Sequence, residues 1–177
     1  NTDADAITRA LREDLGVGLA GARVVLLGAG GAGRVAALKL ACDGVGRMWL
    51  VNRTREKAEA IAAELCQRFP QCQVRVGYPG EPVDLLVNAT SLGLRADDVS
   101  PLDAGQFNLR RTAAVFDMVY RPAETPLLQA AKAAGCRTAN GLGMLLYQGA
   151  RALEIWTGQS APVDVMRPTT PTPPRLP

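Results

Sequence analysis

An apolar run that passes at once into a glycine-spaced turn leaves a chain few ways to fold. Residues 24–57, VVLLGAGGAGRVAALKLACDGVGRMWLVNRTREK, contain one. Val24 to Leu27 predict a strand buried on both faces, as in a parallel sheet. Gly28, Gly30 and Gly33 then fall at the turn, at the point of closest backbone approach to a phosphate, and at the helix–strand contact. A helix from Gly31 to about Ala41 would aim its positive end at a pyrophosphate. A second strand ends in Asn52-Arg53-Thr54, with Arg55 and Lys57 close behind. Units that bind NAD carry an acidic residue here to accept from the ribose 2′-hydroxyl. A guanidinium in its place suits a 2′-phosphate, so the expected cofactor is NADP. Small residues at such a turn can also serve packing alone, but strand, helix and Asn-Arg-Thr together favour the phosphate cradle.

The rest of the chain keeps the same alternation. Helices are predicted at 3–15, 31–42, 54–68, 125–134 and 141–157, and strands at 23–27, 47–51, 72–76, 83–87, 113–118 and 136–139. In the helix at 54–68, Ala58, Ile61, Ala62 and Leu65 form the apolar face. Such an order implies an α/β fold, a three-layer, Rossmann-type, doubly wound and mostly parallel sheet. One nucleotide-binding domain would span 1–158, followed by a Pro-rich tail over 159–177 whose end, Pro168 to Pro177, cannot continue a helix or a central strand.

Composition removes several classes of function. Twenty basic residues against seventeen acidic ones leave a net charge of +3, and the basic residues are scattered, so nucleic acid is not an expected partner. Cys42, Cys66, Cys72 and Cys136 lack metal-ligand spacing, and no metal is expected. Cys66 and Cys72 could form a redox pair, but reduced thiols in a cytoplasmic protein are the simpler account, and no secretory or membrane-spanning segment is evident. The chain contains no histidine. Proton transfer would fall to Lys, Asp, Glu, Tyr or Cys, or to a residue outside this chain.

Two further segments stand where ligands meet a parallel sheet. Val83 to Val87 runs into Asn88-Ala89-Thr90-Ser91-Leu92-Gly93, whose polar side chains either face the crevice or cap an Asx or Ser/Thr turn. Asp117-Met118-Val119-Tyr120-Arg121-Pro122 follows another strand, and Thr125 with Pro126 reads as a helix start. The competing reading of Tyr120 is a packing aromatic with its hydroxyl in water.

With GAGGAGR at 28–34, NRT at 52–54, NATSLG at 88–93, DMVYRP at 117–122, TPLL at 125–128 and NGLGMLLYQGARALEIWTG at 140–158, the chain resembles the NADP-binding half of the shikimate dehydrogenase family over residues 1–158. The resemblance implies NADPH-dependent reduction of 3-dehydroshikimate to shikimate, in the pathway to aromatic amino acids. It implies that Gly28, Ala29, Gly30, Gly31, Ala32 and Gly33 hold the pyrophosphate and that Asn52, Arg53, Thr54 and Lys57 surround the ribose phosphate. Asn88, Ala89, Thr90, Ser91 and Met118 would line the nicotinamide side, Gly141 and Met144 would hold the nicotinamide, and Tyr120 and Gln148 would face the substrate. For Gln148 a buried glutamine satisfying loop backbone is the competing reading.

The same resemblance bears on the first residues. In the family an aspartate matching Asp3 closes the substrate domain, binds substrate and pairs with a catalytic lysine upstream. Lys39, Lys57 and Lys132 all fall in predicted helices of the nucleotide domain, so that lysine and its substrate domain are expected outside this chain, with 1–15 as the junction helix. Ala4 and Ala6 stand where the family usually has glycine, and Asp3 also reads as a solvated helix cap. The chain alone would then bind NADP without turnover. A quinate dehydrogenase, a glutamyl-tRNA reductase and a non-catalytic NADP-binding module are the alternatives.

Overall fold

The computed structural model describes residues 2–95 and 97–167. Its elements are α1 (Thr2–Glu13), β1 (Arg23–Leu27), α2 (Gly31–Cys42), β2 (Arg47–Val51), α3 (Arg55–Arg68), β3 (Gln73–Val76), β4 (Val83–Asn88), a 3-10 turn (Leu109–Arg111), β5 (Thr112–Asp117), α4 (Pro126–Ala133), β6 (Arg137–Asn140), α5 (Leu142–Thr157) and α6 (Val163–Met166). All pairings are parallel, in the order β3-β2-β1-β4-β5-β6. The chain moves outward from β1 to β3, returns to the other side of β1, and moves outward again. That reversal makes the gap between β1 and β4 the switch point of a doubly wound sheet.

Both faces are covered, which is why the central strands are apolar at successive positions rather than alternate ones. Val24, Leu26, Leu50, Leu85, Val87 and Phe116 pack beneath α1, α2, α3 and α5 through Ile7, Leu11, Leu40, Leu65 and Tyr147. Val25, Leu27, Trp49, Leu86 and Val115 face the opposite way, against Leu127, Leu128 and Ala131 of α4 and against Phe107 and Leu109. The β4–β5 crossover therefore carries an apolar loop where a full helix commonly lies.

Predicted strands and helices match observed ones within about two residues at either end. Thr125 caps α4 as expected, its hydroxyl accepting from Leu128 N–H at 3.3 Å, with Pro126 in the first turn. The segment read as the start of the tail carries α6, whose Val163 and Met166 pack against the core. Pro168 to Pro177 lies outside the described residues. All four cysteines are free thiols, Cys42 and Cys66 exposed, Cys72 and Cys136 buried. Among the described residues no helix is long and apolar enough to cross a membrane.

Candidate functional site: a crevice at the carboxyl edge of the sheet

A crevice of about 810 Å³ opens along the carboxyl ends of the strands, on both sides of the switch point. At its centre is the glycine turn. Gly28 has φ +104°, and a Cβ there would lie 2.9 Å from the Ala89 carbonyl carbon, so both conformation and space demand glycine. At Gly33 a Cβ would lie 2.1 Å from the Gly28 carbonyl oxygen, which brings the first turn of α2 down onto the loop. Gly30 is the N-cap of α2, and no side chain caps it. The positive end of the helix is thus left open toward the crevice.

The turn is tied to the strand beside it. Asn52 Oδ1 accepts from Ala29 N–H at 3.0 Å, while Asn52 Nδ2 donates to the Thr54 carbonyl at 2.8 Å. Arg34 turns away from the turn to a bidentate pair with Glu64, at 2.8 and 2.6 Å. Arg53, Thr54 and Lys57 line the crevice beyond β2. Arg55 is engaged by Glu59 at 2.7 Å, whereas among the described residues no ion pair engages Arg53 or Lys57. Two cations therefore face solvent at the mouth, and among the described residues no carboxylate pairs with them.

On the other side of the switch point the polar groups are buried. Asn88, fully buried, accepts at Oδ1 from Thr90 N–H (2.9 Å) and the Thr90 hydroxyl (2.7 Å). Its Nδ2 donates to Asp117 Oδ1 at 2.8 Å and to the Leu92 carbonyl at 3.2 Å. Asp117, also fully buried, accepts in addition from Val119 N–H at 3.0 Å and the Thr125 hydroxyl at 2.6 Å. Burial pushes the Asp117 carboxyl up from the usual carboxylate range, and the three donors oppose that shift.

Of the residues named from sequence, Gly28, Gly30, Gly31, Ala32, Asn52, Arg53, Thr54, Lys57, Ala89, Thr90, Ser91, Met118, Gly141 and Met144 line the crevice, together with Asp3, Tyr120 and Gln148. Tyr120 is half exposed and Gln148 is partly buried on α5. Ala29, Gly33 and Asn88 do not line it: Ala29 gives its N–H to Asn52, Gly33 is pressed on Gly28, and Asn88 is a brace beneath the surface. Between the two readings of Asn88, the turn-forming one describes its contacts. Sequence reasoning missed the apolar walls, Leu94 and Pro101 among them, and the role of Asp117. An acid ending a buried strand eight residues before a Thr-Pro helix start was the available signal.

An open helix end at a glycine turn, at the switch point of a parallel sheet, defines a dinucleotide-binding domain of the Rossmann type. The model of the Shikimate / quinate 5-dehydrogenase family matches residues 10–77, and that of the Shikimate 5′-dehydrogenase C-terminal domain matches residues 141–169. A shikimate dehydrogenase (NADP(+)) of Symbiobacterium thermophilum is 44% identical over 94% of this chain and 59% of its own length. The shikimate 5-dehydrogenase of Thermus thermophilus, solved with NADP(H) and shikimate, matches with a TM-score of 0.76 and 39% identity over 94% of this chain and 60% of its own. The ligand-free 5-ketofructose reductase of a Gluconobacter strain matches with a TM-score of 0.81 and 37% identity, over 94% of this chain and 61% of its own. This chain belongs to the shikimate dehydrogenase family. It spans about three-fifths of the length of the curated relatives it matches.

Proposed function

We propose that this chain is the NADP-binding half of a cytoplasmic shikimate dehydrogenase, in which NADPH reduces 3-dehydroshikimate to shikimate reversibly. The supporting observation is Arg53 and Lys57 at the end of β2, without an ion pair among the described residues, beside an uncapped helix at the glycine turn. The strand order divides the dinucleotide. The pyrophosphate belongs over Gly30, Gly31 and Ala32, the 2′-phosphorylated ribose over Arg53, Thr54 and Lys57, and the nicotinamide over the ends of β4 and β5 toward Gly141 and Met144. The nicotinamide, when bound, supplies or accepts hydride.

The chain's own groups then bind and orient. Backbone N–H groups at the open end of α2 hold the pyrophosphate, and the Arg53 guanidinium can give a phosphate two parallel hydrogen bonds. Tyr120 and Gln148 converge on the β5–α5 side, where an amide can both donate to and accept from a ring hydroxyl. Among the described residues no hydrogen bond commits the Gln148 side chain elsewhere. Asp3 reaches the same crevice from α1 and holds the proton-donor side with a lysine carried by the substrate domain. Residues 1–158 form the nucleotide domain in this reading, and α6, in the segment after it, packs back against its core.

The likeness to a 5-ketofructose reductase favours a second reading, in which the same half serves a dehydrogenase of other polyol specificity, quinate included. The experiment for the main reading is calorimetric titration of the 177-residue chain. NADP should bind at least about tenfold more tightly than NAD, because a charge-assisted hydrogen bond to phosphate contributes about 1.5–3 kcal/mol. Equal affinities would remove the 2′-phosphate assignment. With the chain in large excess over NADPH and 3-dehydroshikimate, no oxidation of NADPH is expected. Robust turnover would refute the shared active site.

A further inference from the structure

The last paired row of the sheet, at its carboxyl edge, changes character at the switch point. Val51 pairs with Leu27, Leu27 with Asn88, Asn88 with Asp117, and Asp117 with Asn140. On the β2 and β1 side the row is apolar; across β4, β5 and β6 it is amide, carboxylate, amide. Residues paired in register on parallel strands point to the same face, so Asn88 and Asp117 meet although 29 positions separate them in the chain. The third member acts on the neighbouring loops: Asn140 Nδ2 donates to the Ala123 carbonyl at 3.0 Å, and its Oδ1 accepts from Leu142 N–H at 3.0 Å.

Asp117 is the centre of this row. One oxygen accepts from Asn88 and from Val119 N–H, and the other from the Thr125 hydroxyl. Thr125 in turn accepts from Leu128 N–H, which leaves its own proton for the carboxylate. Val119 N–H and the Asn88 amide can only donate, so an ionised carboxyl satisfies every partner without a proton of its own. No cation shares the group: among the described residues no Lys or Arg forms an ion pair with it. A carboxylate held in the interior by neutral donors alone costs stability, and such a group persists where its geometry is needed.

That geometry controls one wall of the crevice. Asn88, braced by Asp117, fixes Thr90 through two hydrogen bonds, and Thr90 and Ser91 line the crevice. Val119, held by Asp117 through its N–H, lines it as well, and the Val119 carbonyl accepts from Gly141 N–H at 3.1 Å at the start of α5. Thr125 begins α4. Three chain segments therefore converge on one carboxylate, a fourth, the start of α5, is joined to it through Val119, and each lies on the side of the switch point away from Arg53.

We propose that Asp117 is a positioning residue: its buried carboxylate sets the ends of β4 and β5 and the start of α5 in the arrangement that receives the nicotinamide half of the dinucleotide. The inference rests on the NADP reading given above. In Asp117→Asn one acceptor oxygen becomes an NH2 group, which must face either another donor, Asn88 or Val119, or the Thr125 hydroxyl, whose own proton must then turn away from position 117.

Two ligands separate the halves of the crevice: NADPH, which spans both, and adenosine 2′,5′-bisphosphate, which spans only the β2 side. In calorimetry on the 177-residue chain, Asp117→Asn should weaken NADPH binding by about tenfold while the bisphosphate changes by less than about twofold. Thr125→Val, which deletes one donor and keeps the carboxylate, should shift the same ratio in the same direction by a smaller factor, and Thr125→Ser should restore it. Should Asp117→Asn fail to fold, the Thr125 pair alone decides. Equal weakening of both ligands, or an unchanged ratio accompanied by a lower Tm, would reduce Asp117 to a structural role and overturn the proposal. If the unsubstituted chain binds neither ligand, the NADP reading itself fails, and that outcome is distinct from binding that the substitutions leave untouched.

Discussion

The two flanks of the crevice recognise by opposite physics. On the β2 flank the polar groups are on the surface: Arg53 and Lys57 stand in solvent without an ion-pair partner among the described residues, on side chains that can move to meet a charge. On the β4–β5 flank Asn88, Asp117 and Thr125 are buried and every described hydrogen bond is internal. The first arrangement gains from Coulomb attraction and is open to screening; the second gains from a fixed shape and is shielded. A cofactor with a phosphate at one end and a flat ring at the other suits such a division.

The largest effect should come from the hinge that both flanks share. Gly33→Ala would put a methyl group 2.1 Å from the Gly28 carbonyl oxygen, so the loop and α2 must part. Overpacking of this kind costs about 3 kcal/mol, and Tm should fall by roughly 6–12 °C. Calorimetry should find binding of both NADPH and adenosine 2′,5′-bisphosphate abolished together. A variant that kept either ligand would show that the flanks work independently of the turn.

Next in size is Arg53→Ala, which should weaken NADP by about ten- to a hundredfold and leave NAD nearly unchanged. Because Arg53 is exposed, the affinity it confers should also respond to salt. Raising ionic strength from about 0.1 to 1 M, which shortens the screening length from about 10 to 3 Å, should weaken bisphosphate and NADPH alike by roughly three- to tenfold. Their ratio should hold. A salt-dependent ratio would mean that the buried flank also recognises by charge, and the contrast drawn here would fail.

The smallest effect is a control at the opposite edge of the sheet. Asp84 accepts from the Arg23 guanidinium at 2.8 and 3.1 Å and from Arg23 N–H at 2.8 Å, which holds its carboxyl below the usual range. A depressed native pKa stabilises the fold above the ordinary carboxylate range, and the contribution is lost as pH falls through the depressed value. The pair is half exposed, so solvent reduces its worth to about 0.2–1 kcal/mol. Thermal melts should show Asp84→Asn lower by roughly 0.4–4 °C at neutral pH and no different in strong acid, with both ligand affinities unchanged.

Most of the fold was legible because period and punctuation agreed. Gly28 followed Leu27, Pro126 followed Thr125, and the apolar runs of β1 and β4 were too short for helices. The order of the strands was legible only by analogy, since nothing local in β4 says that it pairs with β1 rather than β3. The crevice was legible where recognition is local, at Gly28–Gly33 and Asn52–Lys57. Asn88 stayed open between the crevice surface and a loop turn for the converse reason: its partner Asp117 becomes a neighbour only when β4 and β5 pair in register. Asn52 was half read. Its position in the crevice held, but its amide bonds to Ala29 and Thr54 needed the fold to appear.

Those two bonds restrict how the cofactor preference of such a domain could drift over generations. An aspartate at 52 would keep an acceptor for Ala29 N–H, yet it would lose the donor to Thr54 and set a carboxylate against that carbonyl oxygen. Arg53 carries no such duty. A lineage moving toward an unphosphorylated ribose has an open route through position 53 and a blocked one through its neighbour, so history at this strand end should be written in one codon rather than two.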